Sequence, residues 1–166
     1  MVIRDQTNYE IELMNTPKRI ISLVPSQSEL LHYLGLEKEV VGITKFCIHP
    51  KEWFQNKTRV GGTKKLNLEK IRELKPDLIL GNKEENTKED IELLRKEYPV
   101  WLSDVNDLDT AIDMIDQVGV MTNTIPTAQQ LIHKIYACQS DIAKSNKSVL
   151  YLIWNEPMMG AGAGTF

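Results

Sequence analysis

The feature that most constrains this 166-residue chain is an alternation. Compact apolar runs of strand length are separated by stretches whose apolar residues recur at helical spacing. The runs are RIISLV (Arg19 to Val24), VVGI (Val40 to Ile43), DLILG (Asp77 to Gly81), VWLSDV (Val100 to Val105) and VLYLIW (Val149 to Trp154). Strands that alternate with helices demand crossover connections, and so a mainly parallel sheet covered by helices on both faces. RIISLV, DLILG and VLYLIW are apolar at successive positions, as strands buried on both faces must be.

Local signals fill in the remaining elements. VIRD and YEIEL flank QTN and read as a short hairpin with Asp5 and Asn8 at the turn. Ser26 to Glu29 has the S-x-x-E form of a capping box, followed by Leu30, Leu31 and Leu34 at helical spacing and by Gly35 at a C-cap position. Asn67 is placed to cap NLEKIREL, and Asn86 or Thr87 to cap ENTKEDIELLRKEY. DLDTAIDMIDQVG puts Leu108, Ile112 and Ile115 on one helix face. Pro126 opens a helix expected to reach Asn146, about 21 residues and roughly 30 Å long. Its thin stripe of Leu131, Ile132, Ile135, Tyr136, Cys138 and Ile142 suits a helix bridging two lobes, with part of its length against each.

Charge and cysteine content narrow the function classes. A net charge of −3 gives no footprint for nucleic acid, and no polybasic run marks a membrane surface. No stretch approaches the roughly 20 apolar residues of a membrane span. Cys47 and Cys138 are too few and too distant to form a disulfide framework, which leaves the redox compartment open. The start lacks the pattern of an export signal. This implies a cytoplasmic location if Met1 is the native start, or a signal removed beforehand. GAGAGTF at the other end reads as an interruption.

In parallel sheets ligands sit beyond the carboxyl ends of the strands. The segments to inspect are therefore PSQSE, TKFCIHP, NKEEN, SDVND and NEPMMGAG. Cys47 and His49 supply only two potential metal ligands, and a structural metal site needs three or four. As a nucleophile and base they lack a third, orienting group. Two readings stay open: Phe46 and Cys47 pack while His49 is exposed, or the loop walls a ligand cleft. The glycines of GAGAGTF lack dinucleotide spacing, and VGGT lacks the Lys-Ser/Thr of a phosphate loop. VGGT reads instead as a turn where backbone passes close to something. The acids Glu69, Glu84 and Glu85 sit where helix dipoles favour negative charge, which by itself explains them.

Taken together, PKRIISLVPSQSELL, LGLEKEVVGIT, RVGGT, NLEKIRELKPDLIL and VLYLIW resemble the substrate-binding proteins of ABC importers for cobalamin, haem and ferric siderophores, in the helical-backbone class. The resemblance runs through nearly the whole chain. It implies a Rossmann-like amino-terminal lobe over 1–123, a linking helix over 124–147, and over 148–166 the first strand of a truncated second lobe. It implies ligand capture between lobes and delivery to a permease, in the periplasm or cell envelope, with no chemistry performed and no cofactor of its own. The ligand would be a chelate of iron or cobalt.

By the same resemblance Pro25, Ser26, Gln27, Lys45, Phe46, Cys47, Thr63, Lys64, Asn82, Lys83 and Glu84 would line one side of the cleft. Trp154 and Met158 would line the other. Glu69 would dock onto permease arginines, and His49 would be an axial ligand to a bound metal. Phe46, Thr63 and Asn82 stand where family members often have Tyr or Trp, and Lys45, Lys64 and Lys83 add cations that suit an anionic chelate. The alternative from another class is a cytoplasmic α/β enzyme or metal-handling protein using Cys47 and His49.

Overall fold

The computed structural model describes residues 1–140 and 150–161. The chain opens with the hairpin β1 (Val2–Arg4) and β2 (Glu10–Glu12), then enters the sheet with β3 (Ile20–Ser22), α1 (Pro25–Tyr33) and β4 (Val40–Ile43). Next come α2 (Lys51–Asn56), β5 (Thr58–Arg59), a small antiparallel hairpin of β6 (Gly61–Gly62) and β7 (Lys65–Leu66), and α3 (Leu68–Leu74). β8 (Leu78–Asn82), α4 (Lys88–Arg95), β9 (Val100–Ser103), α5 (Leu108–Met121) and α6 (Ile125–Ser140) follow. The last described elements are β10 (Leu152–Trp154) and β11 (Met159–Gly160).

Five strands form one parallel sheet in the order β5-β4-β3-β8-β9. Successive residues point to opposite faces, as strand geometry requires. Ile20, Leu78, Leu80 and Trp101 enter a core with α1, α5 and α6. Ile21, Ile79, Val100 and Leu102 enter a second core with Ile71 of α3 and Ile91 and Leu94 of α4. From β3 the chain winds one way to β4 and β5, then returns to the other side of β3 for β8 and β9. This is a doubly wound sheet, and its direction reverses between β3 and β8.

The two motif runs RIISLV and KPDLIL are tied together physically. Asp77 accepts the backbone N–H groups of Lys18 at 2.7 Å and Arg19 at 2.8 Å. The Arg19 guanidinium donates to the Leu74 carbonyl at 2.6 and 2.8 Å, satisfying the end of α3. Gly35, at φ 78°, ends α1 with the paired bonds Gly35 N–H to His32 and Leu36 N–H to Leu31 of a Schellman motif.

Several local expectations are corrected. α1 starts at Pro25 with Val24 as N-cap and no side-chain cap, so no capping box forms at Ser26. Proline suits that first position because its missing N–H would be unpartnered there anyway. Ser28 instead donates to Val24 O and Ser22 Oγ. The sheet's fifth strand is β5, a two-residue edge segment that carries no apolar run, preceded by the unanticipated α2. VLYLIW contributes β10, which pairs antiparallel with β11 and is not part of the five-stranded sheet.

α6 begins at Ile125 and lies along α5, where a Cβ on Gly119 would come 2.6 Å from Ala128 Cβ. Leu131, Ile132 and Ile135 reach the core, whereas Tyr136 and Cys138 are exposed. The expected continuation over 141–146 lies outside the described residues.

The amino-terminal hairpin is fastened to the open edge of β9. Buried Asp5 accepts from the N–H groups of Thr7, Tyr9 and Leu102, and pairs with the Arg95 guanidinium. That guanidinium also stacks 3.8 Å from the centre of the Tyr9 ring. Removing Asp5 leaves a largely buried cation and several N–H groups without partners. Asp5→Ala is expected to cost about 3 kcal/mol in urea unfolding. Breaking the exposed Arg4–Glu10 pair by Glu10→Ala should cost less than about 1 kcal/mol. Equal losses in the two variants would contradict this account.

Candidate ligand-binding cleft

The reversal between β3 and β8 leaves a gap beyond their carboxyl ends, and the loops there converge. Val24, Pro25 and Ser26 after β3, Phe46 after β4, Thr63 of the β6–β7 turn and Glu85 after β8 line a cleft of about 290 Å³. It adjoins a larger chamber of about 700 Å³ that shares Phe46 and Thr63 and extends past Lys45 and Lys64 to Glu69.

Backbone geometry builds this rim. Lys45 N–H donates to Gly61 O at 2.8 Å, joining the loop after β4 to the small hairpin. Gly61 has φ 105°, and a Cβ there would come 2.6 Å from Lys65 O. Only glycine meets both conditions. Gly62 faces Lys45 and Phe46, so the absence of a side chain lets both lie against the hairpin. The expectation of close backbone approach at VGGT thus has a physical cause.

A polar network secures the turn. Asn86 Oδ1 accepts the N–H of Asn82 at 2.8 Å, and its Nδ2 donates to Thr63 O at 3.1 Å. Asn82 Oδ1 accepts the N–H groups of Glu84 and Glu85, and its Nδ2 donates to Ser103 Oγ. Lys64 Nζ donates to the Glu84 carbonyl. Asn86 is therefore spent on this network, and α4 begins after Thr87 without a side-chain cap.

The residues expected at the cleft divide into groups. Pro25, Ser26, Lys45, Phe46, Thr63 and Lys64 meet at the cleft and chamber. Gln27 is buried beneath them, donating to Gly81 O and Ser103 Oγ. Cys47 is fully buried in the core and paired with Thr44 Oγ1 at 3.2 Å, which places its thiol away from the cleft surface. His49 is exposed beside it. Among the described residues, no group of three His, Cys, Asp or Glu side chains could hold a metal ion.

Lys83 turns away from the cleft. It pairs with Asp104 at 2.6 Å and lines a separate pocket of about 360 Å³, beside Asn82 and Arg95. The hydrogen bond and charge of Asp104 raise its pKa above the ordinary lysine value. Glu84 is exposed and presents its carbonyl to Lys64. Trp154 and Met158 are exposed on the β10–β11 hairpin. Glu85, within the NKEEN segment, lines the cleft, whereas Lys65, Leu66 and Leu68 are lining residues outside the expected segments. Their signal was the Gly61–Gly62 pair, which marks a tight hairpin that carries its neighbours to the rim.

A groove at the reversal point of a doubly wound sheet, walled by loops and floored by strand ends, is the geometry of an α/β ligand-binding lobe. The chain belongs to the periplasmic binding protein family, whose pattern matches residues 20–166. It is 29% identical over 153 residues to the uncharacterized ABC transporter substrate-binding lipoprotein YvrC of Bacillus subtilis, covering 90% of this chain and 48% of that one. The structure of the periplasmic vitamin B12 binding protein BtuF of Vibrio cholerae superposes with a TM-score of 0.75 at 26% identity, over 86% of this chain and 58% of that one. The iron uptake ABC transporter substrate-binding protein PiuA of Streptococcus pneumoniae shares the fold, with a TM-score of 0.86 at 21% identity over 98% and 61%. The chain spans about half the length of the curated relatives it matches.

Two outcomes test this geometry. Asn86→Ala should cost about 1–3 kcal/mol, because the Asn82 N–H loses its buried partner. It should also speed amide exchange at Lys64 and Lys65 more than at Ile79. A native thiol-labelling time course should modify exposed Cys138 quickly and buried Cys47 only on unfolding.

Proposed function

We propose that this chain is the ligand-capturing amino-terminal lobe and linking helix of an ABC-importer substrate-binding protein. Its ligand is a metal chelate of the ferric siderophore, haem or cobalamin kind, held at the carboxyl ends of the strands and handed to a permease. Family membership supports the class. The observation that carries the reading is the convergence of the first turn of α1, the loop after β4 and the β6–β7 turn, through Ser26, Phe46 and Thr63, on one cleft at the sheet's reversal point.

The division into a lobe over 1–123, a linking helix over 124–147 and a second-lobe segment over 148–166 belongs to this proposal. β10 supports it: Leu152, Ile153 and Trp154 are apolar and all exposed, as a strand would be whose covering layers lie elsewhere. Trp154 and Met158 then belong to the cleft's far wall. Glu69, exposed in the first turn of α3, is the permease-facing acid, and residence in the cell envelope follows from the same reading. The enzyme or metal-handling alternative loses its main support with the burial of Cys47.

Calorimetry with cobalamin, haem and a ferric siderophore tests the assignment. Full-length protein should bind one of them at a single site with micromolar or tighter affinity. On this reading the 166 residues supply one wall of the cleft and only the Trp154–Met158 segment of the other, so binding by them alone should be at least about 100-fold weaker. Sub-micromolar capture by the 166 residues alone would refute the two-lobe clamp.

A further inference from the structure

The packed pair α5 and α6 carries a groove of about 540 Å³ that shares no residue with the cleft or its chamber. The two helices meet most closely where Gly119 faces Ala128. From there toward the start of α5 the groove opens, floored by half-buried Ile112 and Ile132. Ile132 also packs against the core, which fixes the floor in place.

The two walls differ in charge. Asp109, Asp113 and Asp116 follow one another along the α5 wall, and their spacing of four and then three residues keeps them on one flank. They span about 10 Å of helix axis. His133 and Tyr136 stand on the α6 wall, and the Tyr136 ring is 45% exposed. Among the described residues none of the three carboxylates takes part in an ion pair. Asp113 accepts from the amides of Gln6 and Gln117, each at 2.8 Å, whereas Asp109 and Asp116 are exposed. The lysine of α6, Lys134, is drawn toward α1 by the Tyr33 hydroxyl at 2.9 Å.

An apolar floor beside a file of negative charge selects its occupant. Carboxylates in file do not converge on a point, and among the described residues no such group could hold a metal ion. An anionic membrane surface is repelled. A second copy of this chain offers no match, because none of its described helices presents a row of cations. A linear groove between two helices suits a third helix. Its apolar stripe seats on the floor while cations along one flank meet the acids.

We propose that the α5–α6 groove is a docking surface for a basic amphipathic helix of a partner protein. That helix lays Leu or Ile side chains on Ile112 and Ile132. It sets Lys or Arg, at the same spacing of four and three, against Asp109, Asp113 and Asp116. Tyr136 covers its other flank. The occupant bridges the lobe's α5 and the linking helix and leaves the cleft open, so docking is independent of the ligand-capture reading.

Calorimetry on the full-length protein with synthetic peptides of about 18 residues, long enough to form helix, tests the surface. One peptide carries a Leu stripe flanked by Lys at that spacing. A second has Glu in place of each Lys, and a third keeps the first composition in scrambled order. The first should bind at one site with micromolar affinity, at least about tenfold tighter than either of the others. Asp109→Asn combined with Asp116→Asn should weaken it at least about fivefold, and Tyr136→Ala about threefold, with circular dichroism unchanged. Glu89→Gln combined with Glu92→Gln removes the same charge from α4 and should leave binding unchanged. Equal losses in the two double variants, or equal binding of ordered and scrambled peptides, would reduce the contact to bulk charge and overturn the docking surface. Absence of binding by the ordered peptide overturns it as well.

Discussion

Ile20 and Ile21 are neighbours on β3, neither has any exposure, and each faces a different core. A strand so placed must be covered on both faces and paired on both edges, by β4 on one side and β8 on the other. The chain satisfies this by winding outward in one direction and then in the other. The cost of two-sided burial is therefore met by a topology that cannot close over its own centre. At the point of reversal the loops after β3 and β8 diverge, and a gap opens where Val24 to Ser26 meet Glu85. The candidate site is a by-product of how the sheet is buried.

The gap keeps its shape because the loops around it are cross-tied by polar groups rather than packed. Asn82, Asn86 and Ser103 form one chain of hydrogen bonds from the end of β8 to the carbonyl of Thr63. Partly buried amides are costly unless satisfied, so the network holds one arrangement of the β6–β7 turn. Side chains inside that network, Asn82 and Asn86 above all, are occupied in holding the rim. Phe46, Lys45 and Lys65 keep exposed surface for something else.

The same logic operates at the far edge. β9 presents unpaired backbone, and the amino-terminal hairpin covers it through Asp5 and Gln6, with Gln6 accepting from Asp104 N–H and donating to Thr110 O. Arg95 on α4 joins the hairpin to the second core's helix layer through Asp5. Lys83, pulled to Asp104 at this edge, is lost to the cleft.

How much was legible in advance follows from these particulars. Compact apolar runs and capping residues are local, so the sequence determined β3, β4, β8, β9, the hairpin of β1 and β2, and the Asn67 cap, along with the parallel class of the sheet. It also marked the loops after β3, β4 and β8 as the place to look, because strand ends follow from strands. It did not show β5, whose Thr58 and Arg59 are held by pairing with β4 and not by their own pattern. Nor could it separate Lys45 from Lys83, or Phe46 from Cys47. Each pair is matched in type or adjacent in the chain, and only distant residues brought near by folding, Asp104 beside Lys83 and the core cluster around Cys47, decide which side chain remains free. Local pattern fixes where a strand ends. Which group at that end still faces solvent depends on contacts between residues far apart in the chain, and those exist only once the sheet is assembled.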